Sequence, residues 1–81
     1  MKILKTRAKT HGDYTETAEI AQALKSVMHR SDNWGHLPAH MKESLDLHAT
    51  KIARILNGNP YEPDHWQDIA GYATLVSETL K

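Results

Sequence analysis

The chain has 81 residues, no cysteine, and ten basic residues that balance ten acidic ones, so its formal net charge is zero with neutral histidines. A chain of this length forms one domain at most, and without cysteine it has neither disulfides nor a thiolate zinc site. The charge balance disfavours nucleic acid and anionic membranes as partners. Because so small a domain buries little core, we expect it to gain burial by self-association.

The first 14 residues combine a basic run with a turn. The run at residues 2–9 is the one feature that favours nucleic-acid binding, which ranks third among the functions considered. Gly12 and Asp13 predict a turn that ends in a helix cap. No stretch approaches the roughly 20 apolar residues of a membrane span, and the start lacks the apolar core of a secretory signal, so we expect no membrane association and a cytoplasmic location.

Three stretches have the apolar spacing of amphipathic helices. The first covers residues 15–30, with Asp13 and Thr15 as candidate caps. The second covers residues 38–57. The third covers residues 64–80, and Asp64 is placed to cap it. The connectors, at residues 31–37 and 58–63, contain glycine and proline breakers.

The middle helix shows the strongest pattern. At about 100° per residue, its apolar residues share one arc, which we expect to be a core face. Pro38 suits the first turn, and Asn57 followed by Gly58 predicts a left-handed stop. The arc consists of Met41, Leu45, His48, Ile52, Ile55 and Leu56.

The last helix has an apolar arc that is broad, with Trp66, Tyr72 and Val76 among its members. Such breadth indicates burial against more than one neighbour, within the protomer or across an interface. We therefore predict an all-α fold in which a three-helix protomer forms a helical bundle. We expect the bundle to be completed as a homodimer or homotetramer.

Two acidic pairs lie at helical spacing. Glu43 and Asp46 are three residues apart and Asp64 and Asp68 are four apart, so each pair shares one side of a helix. Antiparallel packing across the short link would bring the pairs near each other. Since Mg²⁺ prefers carboxylate oxygens, a magnesium site is one hypothesis for these four residues.

The alternative for the same acids is structural. Acid pairs at these spacings are common on solvated helix faces, which favours a surface or capping role. Asp64 would then be a cap, and Asp68 would form a salt bridge with Lys51 or Arg54.

No other catalytic or metal-binding motif occurs in the sequence. The six histidines include no HExxH motif and a single pair four residues apart, His36 and His40. No Ser-His-Asp order and no glycine-rich phosphate loop is present. The large aromatic residues have the chemistry to stack a base, but core packing is their more common role.

Three segments carry a resemblance to known proteins: THGDY at residues 10–14, KIARIL at residues 51–56 and DHWQDIAGYATLV at residues 64–76. In this order they resemble a group of small phage and prophage proteins of unassigned function. The resemblance covers roughly residues 7–78, and the last segment is its most specific part. It implies a protein of phage origin in the cytoplasm of a bacterial host.

That group is in turn distantly similar to the MazG-like all-α nucleoside triphosphate pyrophosphatases, which hold magnesium beside a nucleotide with ExxE on one helix and ExxD on the next. The resemblance implies that Glu43 and Asp46 correspond to the first acidic pair. Asp68 would correspond to an acid of the second pair. The residue three positions after it is Gly71, so a complete set of four carboxylates is absent.

The functional expectations follow from this resemblance and from the composition. The first is a magnesium-dependent pyrophosphatase-like or nucleotide-binding domain in which Lys51, Arg54 and Tyr72 contact the nucleotide. The alternative is a non-catalytic, homo-oligomeric interaction module.

Overall fold

The computed structural model describes residues 9–81, and within that range the chain is all-α, as predicted, with no strand. A short 3-10 helix connects the first two of three long helices. The helices are α1, Tyr14–His29; the 3-10 helix, Trp34–His36; α2, Ala39–Asn57; and α3, Pro63–Glu78.

The described part of the chain begins with a helical turn at residues 9–11. Of the basic run predicted at residues 2–9, Lys9 alone belongs to the described residues. No described helix is both long enough and apolar enough to cross a membrane.

Helix α1 begins and ends within one residue of the prediction. Asp13 is its N-cap, and its Oδ2 accepts a hydrogen bond from the Glu16 N–H at 3.2 Å. This side chain satisfies one of the N–H groups that a helix start leaves without an intrahelical partner.

Helix α2 ends where it was predicted to end, but for a different reason. Gly58 has φ −121° and ψ −137°, so the predicted left-handed stop is wrong. Glycine is required there for space, because a Cβ on Gly58 would lie 2.5 Å from the Thr10 carbonyl oxygen. The Gly58 N–H still closes the helix by donating to the Arg54 carbonyl at 2.8 Å.

Helix α3 begins one residue earlier than predicted. Pro63 occupies its first turn, where the missing N–H has no cost, and Glu62 precedes it as the cap residue. Asp64 therefore lies inside the first turn, and the prediction that it caps the helix is wrong. Its negative charge still interacts favourably with the positive end of the helix dipole.

The helices form a flat layer with α2 in the middle. Helix α2 packs against both neighbours, whereas α1 and α3 share no comparable interface within residues 9–81. The protein accordingly measures 42 × 26 × 19 Å. Such a layer leaves two sides of α2 without a covering helix.

The buried core of this layer is small and rich in alanine. Its fully apolar members are Ala21 of α1 and Ala49 and Ala53 of α2, which permit close approach of the two helix backbones. Three polar residues are buried as well: Thr17, Ser44 and His65.

The apolar arc of α2 is only in part the core face that the sequence predicted, because Met41, His48 and Ile55 are half-buried and its other three members are exposed. Within the protomer Leu45 is 39% exposed, Ile52 38% and Leu56 66%. The reason is geometric: α1 contacts α2 at Asp46 and Asn57, and α3 contacts it at Ser44 and Lys51. The arc lies between these two lines of contact, on one side of the layer. We call this side the apolar face. Its exposed members are Val27, Leu45, Ile52, Leu56, Trp66 and Leu80.

One end of the layer is closed by the turn at residues 10–13. The Thr10 carbonyl accepts two hydrogen bonds, from the Asn59 N–H at 3.1 Å and from His65 Nε2 at 2.9 Å. Gly12 has φ +81°, and a Cβ there would lie 2.2 Å from the Asn57 carbonyl oxygen. We call this contact between the turn, the end of α2 and the start of α3 the helix-end junction.

The junction provides a stability test. Gly12→Ala should lower the free energy of unfolding by at least about 1–2 kcal/mol, because it adds a left-handed alanine and a backbone clash. Urea denaturation followed by circular dichroism measures this change.

Gly71→Ala is the matched control. Gly71 lies inside α3 with no atom within 4 Å of an added Cβ, so alanine should stabilise the protein by about 0.5–1 kcal/mol. A neutral Gly12→Ala would show that the turn does not pack against Asn57.

Candidate functional site

The four predicted acids do not converge. Across residues 9–81, no group of three or more histidine, cysteine, aspartate or glutamate side chains is arranged to hold a metal ion. Each acid has its own surroundings on α2 or α3. This arrangement gives no support to a magnesium site at Glu43, Asp46, Asp64 and Asp68, and that site stays a prediction.

Asp46 pairs with a histidine. Its Oδ1 lies 2.7 Å from His29 Nε2, where the end of α1 passes the start of α2. The His29 ring also packs against the Trp34 ring, with centroids 4.4 Å apart. The cluster holds the 3-10 helix against the ends of α1 and α2, so Asp46 has a structural partner.

Asp68 forms the salt bridge expected in the structural alternative. Its Oδ2 lies 2.7 Å from Lys51 Nζ, and the Lys51 side chain is only 12% exposed. The hydrogen bond from Lys51 lowers the pKa of Asp68 below its ordinary value, against partial desolvation. The positive charges of Lys51 and Arg54 act in the same direction. Lys51 is therefore largely neutralised by a carboxylate on the neighbouring helix.

Glu43 lies in a groove of about 350 Å³ between α2 and α3. Tyr72 and Leu75 line the same groove from α3, and Ser44 closes it by donating to the Tyr72 carbonyl at 3.3 Å. The groove is mainly apolar, and Glu43 is the one carboxylate among its lining residues. It therefore lacks the oxygen ligands of a magnesium site.

Arg54 lines a different cavity, between α1 and α2. This cleft has a volume of about 510 Å³ and also contains Tyr14, Lys25 and Thr50. The three residues predicted to contact a nucleotide are thus divided: Tyr72 is in the groove, Arg54 is in the cleft, and Lys51 is paired with Asp68.

Both cavities open on the same side of the layer. Helical spacing places Glu43, Thr50 and Arg54 on the side of α2 opposite the apolar arc. We call it the polar face. Sequence reasoning missed Lys25 and Tyr14 as parts of this face, because the register between α1 and α2 brings them beside Arg54 and no motif in α1 indicates it.

The Lys51–Asp68 ion pair predicts a pH dependence. Asp68→Asn should lower stability near neutral pH, because it leaves the largely buried side chain of Lys51 without a partner. Since the folded pKa of Asp68 is below its ordinary value of 3.8, the pair stabilises the fold above that pH. The advantage of the wild type should disappear as the pH falls through the lower, folded value. Urea denaturation from pH 7 to pH 2 measures both effects.

Asp64→Asn is the matched control on the same helix, since the exposed Asp64 forms no ion pair with a described residue. It should change stability little at any pH. An Asp68→Asn protein as stable as the wild type, or more stable, would contradict the ion pair and favour repulsion within a metal site.

Comparison with known proteins assigns the chain to a family. No curated protein and no solved structure matches it. One family model, described as a domain of unknown function, matches residues 1–80, which is nearly the whole chain. The protein therefore belongs to the DUF6378 family.

Proposed function

We propose that this protein is a homo-oligomeric interaction module in which two copies pack through the apolar face. The observation that supports it is the exposure of Leu45, Ile52 and Leu56, the arc of α2 that has the pattern of a core. Large apolar side chains grouped on one side of a small protein are typical of an interface.

All three helices contribute to this face. Val27 of α1 is 62% exposed, Trp66 of α3 is 55% exposed, and Leu80 just beyond α3 is 66% exposed. Val27 lies roughly half a turn around α1 from Lys25, and Trp66 lies roughly half a turn around α3 from Leu75. Since Lys25 and Leu75 line the cavities of the polar face, Val27 and Trp66 are on the side of the α2 arc. The layer measures 42 × 26 Å in its plane, which is enough for the roughly 800 Å² per partner of a standard interface.

A second copy is the partner that fits this face best. The apolar arc of α2 contains no aspartate, glutamate, lysine or arginine, so two copies bring no like charges together there. The formal net charge of zero removes long-range repulsion between copies. Two-fold symmetry pairs the face with itself and converts two thin layers into one bundle with an interior.

The oligomer is tested by sedimentation equilibrium at micromolar concentration. The wild type should be a dimer, and Leu56→Glu should be a monomer, because it buries two unpaired carboxylates in the interface. Leu75→Glu is the matched control: Leu75 is 69% exposed, close to the 66% of Leu56, but it lies in the groove on the polar face.

Leu75→Glu should therefore remain dimeric. A wild type that is monomeric and stably folded at about 100 μM would overturn the proposal, because this concentration is well above the dissociation constant typical of a standard-size interface. Equal dissociation by the two variants would also count against the apolar face, since it would place the contact elsewhere.

Phage origin, similarity to the MazG-like pyrophosphatases and hydrolysis of a nucleoside triphosphate stay predictions beside this proposal. Pyrophosphate release from deoxynucleoside triphosphates with Mg²⁺ is the direct measurement of the hydrolysis. Glu43→Gln and Asp46→Asn should abolish release if the resemblance to that enzyme family extends to catalysis. Release that is unchanged in both variants would contradict the assignment of these acids.

A further inference from the structure

We propose that the cleft between α1 and α2 binds a phosphate-bearing small molecule, with the phosphate held between Lys25 and Arg54. The cleft has a volume of about 510 Å³, within the range of small-molecule sites. It is separate from the four predicted acids, none of which lines it.

The register of the two helices brings the two cations together. Thr17 is bonded to Asn57 through the Asn57 amide at 3.1 Å, and His29 meets Asp46 at 2.7 Å, so α1 and α2 run antiparallel. Lys25 lies one turn before His29 and is therefore level with Thr50, one turn after Asp46. Arg54 follows Thr50 by one further turn, about 5–6 Å along the axis. Both side chains line the cleft, so a single ligand bound there can contact the two of them.

Neither cation has an acidic partner there. Lys25 and Arg54 are both half-buried, and among the described residues neither lies within ion-pair distance of a carboxylate. The charge of Arg54 acts on Asp68, but Asp68 is already bonded to Lys51. Two partly desolvated positive charges without a counter-ion favour binding of an anion.

Phosphate suits this pair better than other anions of similar size. A guanidinium presents a planar fork of N–H donors to two phosphate oxygens, and an ammonium adds a compact charge to a third. A diphosphate also spans the one-turn offset between Lys25 and Arg54.

The rest of the cleft favours an organic group attached to the phosphate. Tyr14 lies at the edge of the cleft and is 84% exposed, so its ring is open to a ligand. Gln22 adds an amide donor and acceptor to the lining. Asp13 is the one carboxylate among the lining residues, and its side chain accepts a hydrogen bond from the Glu16 N–H. The phosphate therefore lies at the Lys25 end and the uncharged part near Tyr14.

The cleft is independent of the proposed dimer. It opens on the polar face, so it stays accessible when two copies pack through the apolar face. Its positive charge comes from side chains, so binding needs no divalent cation. These two properties separate this site from the predicted magnesium site at the acids.

The test is a titration of ¹⁵N-labelled protein with pyrophosphate in the presence of EDTA, followed by NMR. Amide shifts should concentrate at Ala18, Gln22 and Thr50, which line the cleft. Lys25→Gln and Arg54→Gln should each weaken binding about tenfold or more. The matched controls, Arg30→Gln and Lys42→Gln, remove one positive charge outside the cleft and should change affinity less than about twofold.

Further arms identify the ligand class. A nucleoside diphosphate that binds more tightly than pyrophosphate, with the gain lost in Tyr14→Ala, supports an organic phosphate that contacts the ring. Equal affinity supports binding of the phosphate group alone. Arg54→Lys keeps the positive charge but loses the planar N–H donors of the guanidinium. Its affinity for pyrophosphate should lie between those of the wild type and Arg54→Gln.

Three outcomes would overturn the proposal. One is the absence of shifts at millimolar pyrophosphate. Another is binding that weakens equally in the control variants, which would indicate a general charge effect. The third is binding that requires Mg²⁺ and is lost in Glu43→Gln but retained in Arg54→Gln, which would place the ligand at the acids. A thermal melt of each variant confirms that its fold is retained.

Discussion

The arrangement of the layer depends on one backbone carbonyl, that of Thr10. It accepts hydrogen bonds from the Asn59 N–H and from the ring of His65, which is completely buried. These bonds fasten the turn before α1 to the link after α2 and to the first turn of α3. Since Gly12 and Gly58 permit backbone approach at the same place, the junction sets where α1 and α3 lie against α2. The two open faces of the layer follow from that placement.

The helix-end junction also gives a structural explanation for the THGDY motif, which could have been taken for a functional site. THGDY is one of the three segments that carry the resemblance to other proteins, yet its first four residues have structural roles. The His11 carbonyl, for example, accepts a hydrogen bond from the Thr17 hydroxyl at 2.9 Å. Thr10 supplies the carbonyl, Gly12 the left-handed turn, and Asp13 the cap of α1. Only Tyr14 is left with an exposed ring, and it is the member of the motif that lies at the edge of the cleft.

The helices and their approximate ends were predictable because apolar spacing, caps and breakers are local signals. The element that packs on each helix face was not predictable in this way. A helical wheel identifies the arc of Leu45, Ile52 and Leu56 as apolar but does not show whether α1, α3 or another copy covers it. The partners of the acids were predictable only in part: the sequence offered Lys51 or Arg54 as the partner of Asp68, which pairs with Lys51, but gave no sign of His29 beside Asp46. Both points concern contacts between helices, which depend on a helix register that the sequence does not show.

A net charge of zero also concealed an uneven distribution of charge. Asp68 is bonded to Lys51 and Asp46 to His29, so two of the four acids that suggested a cation site already have partners. Lys25 and Arg54 keep their charges without a carboxylate at ion-pair distance among the described residues. The local field in the cleft is therefore positive although the chain as a whole is neutral. Uneven pairing of the charges, and not an excess of basic residues, is therefore what makes this cleft suited to an anion.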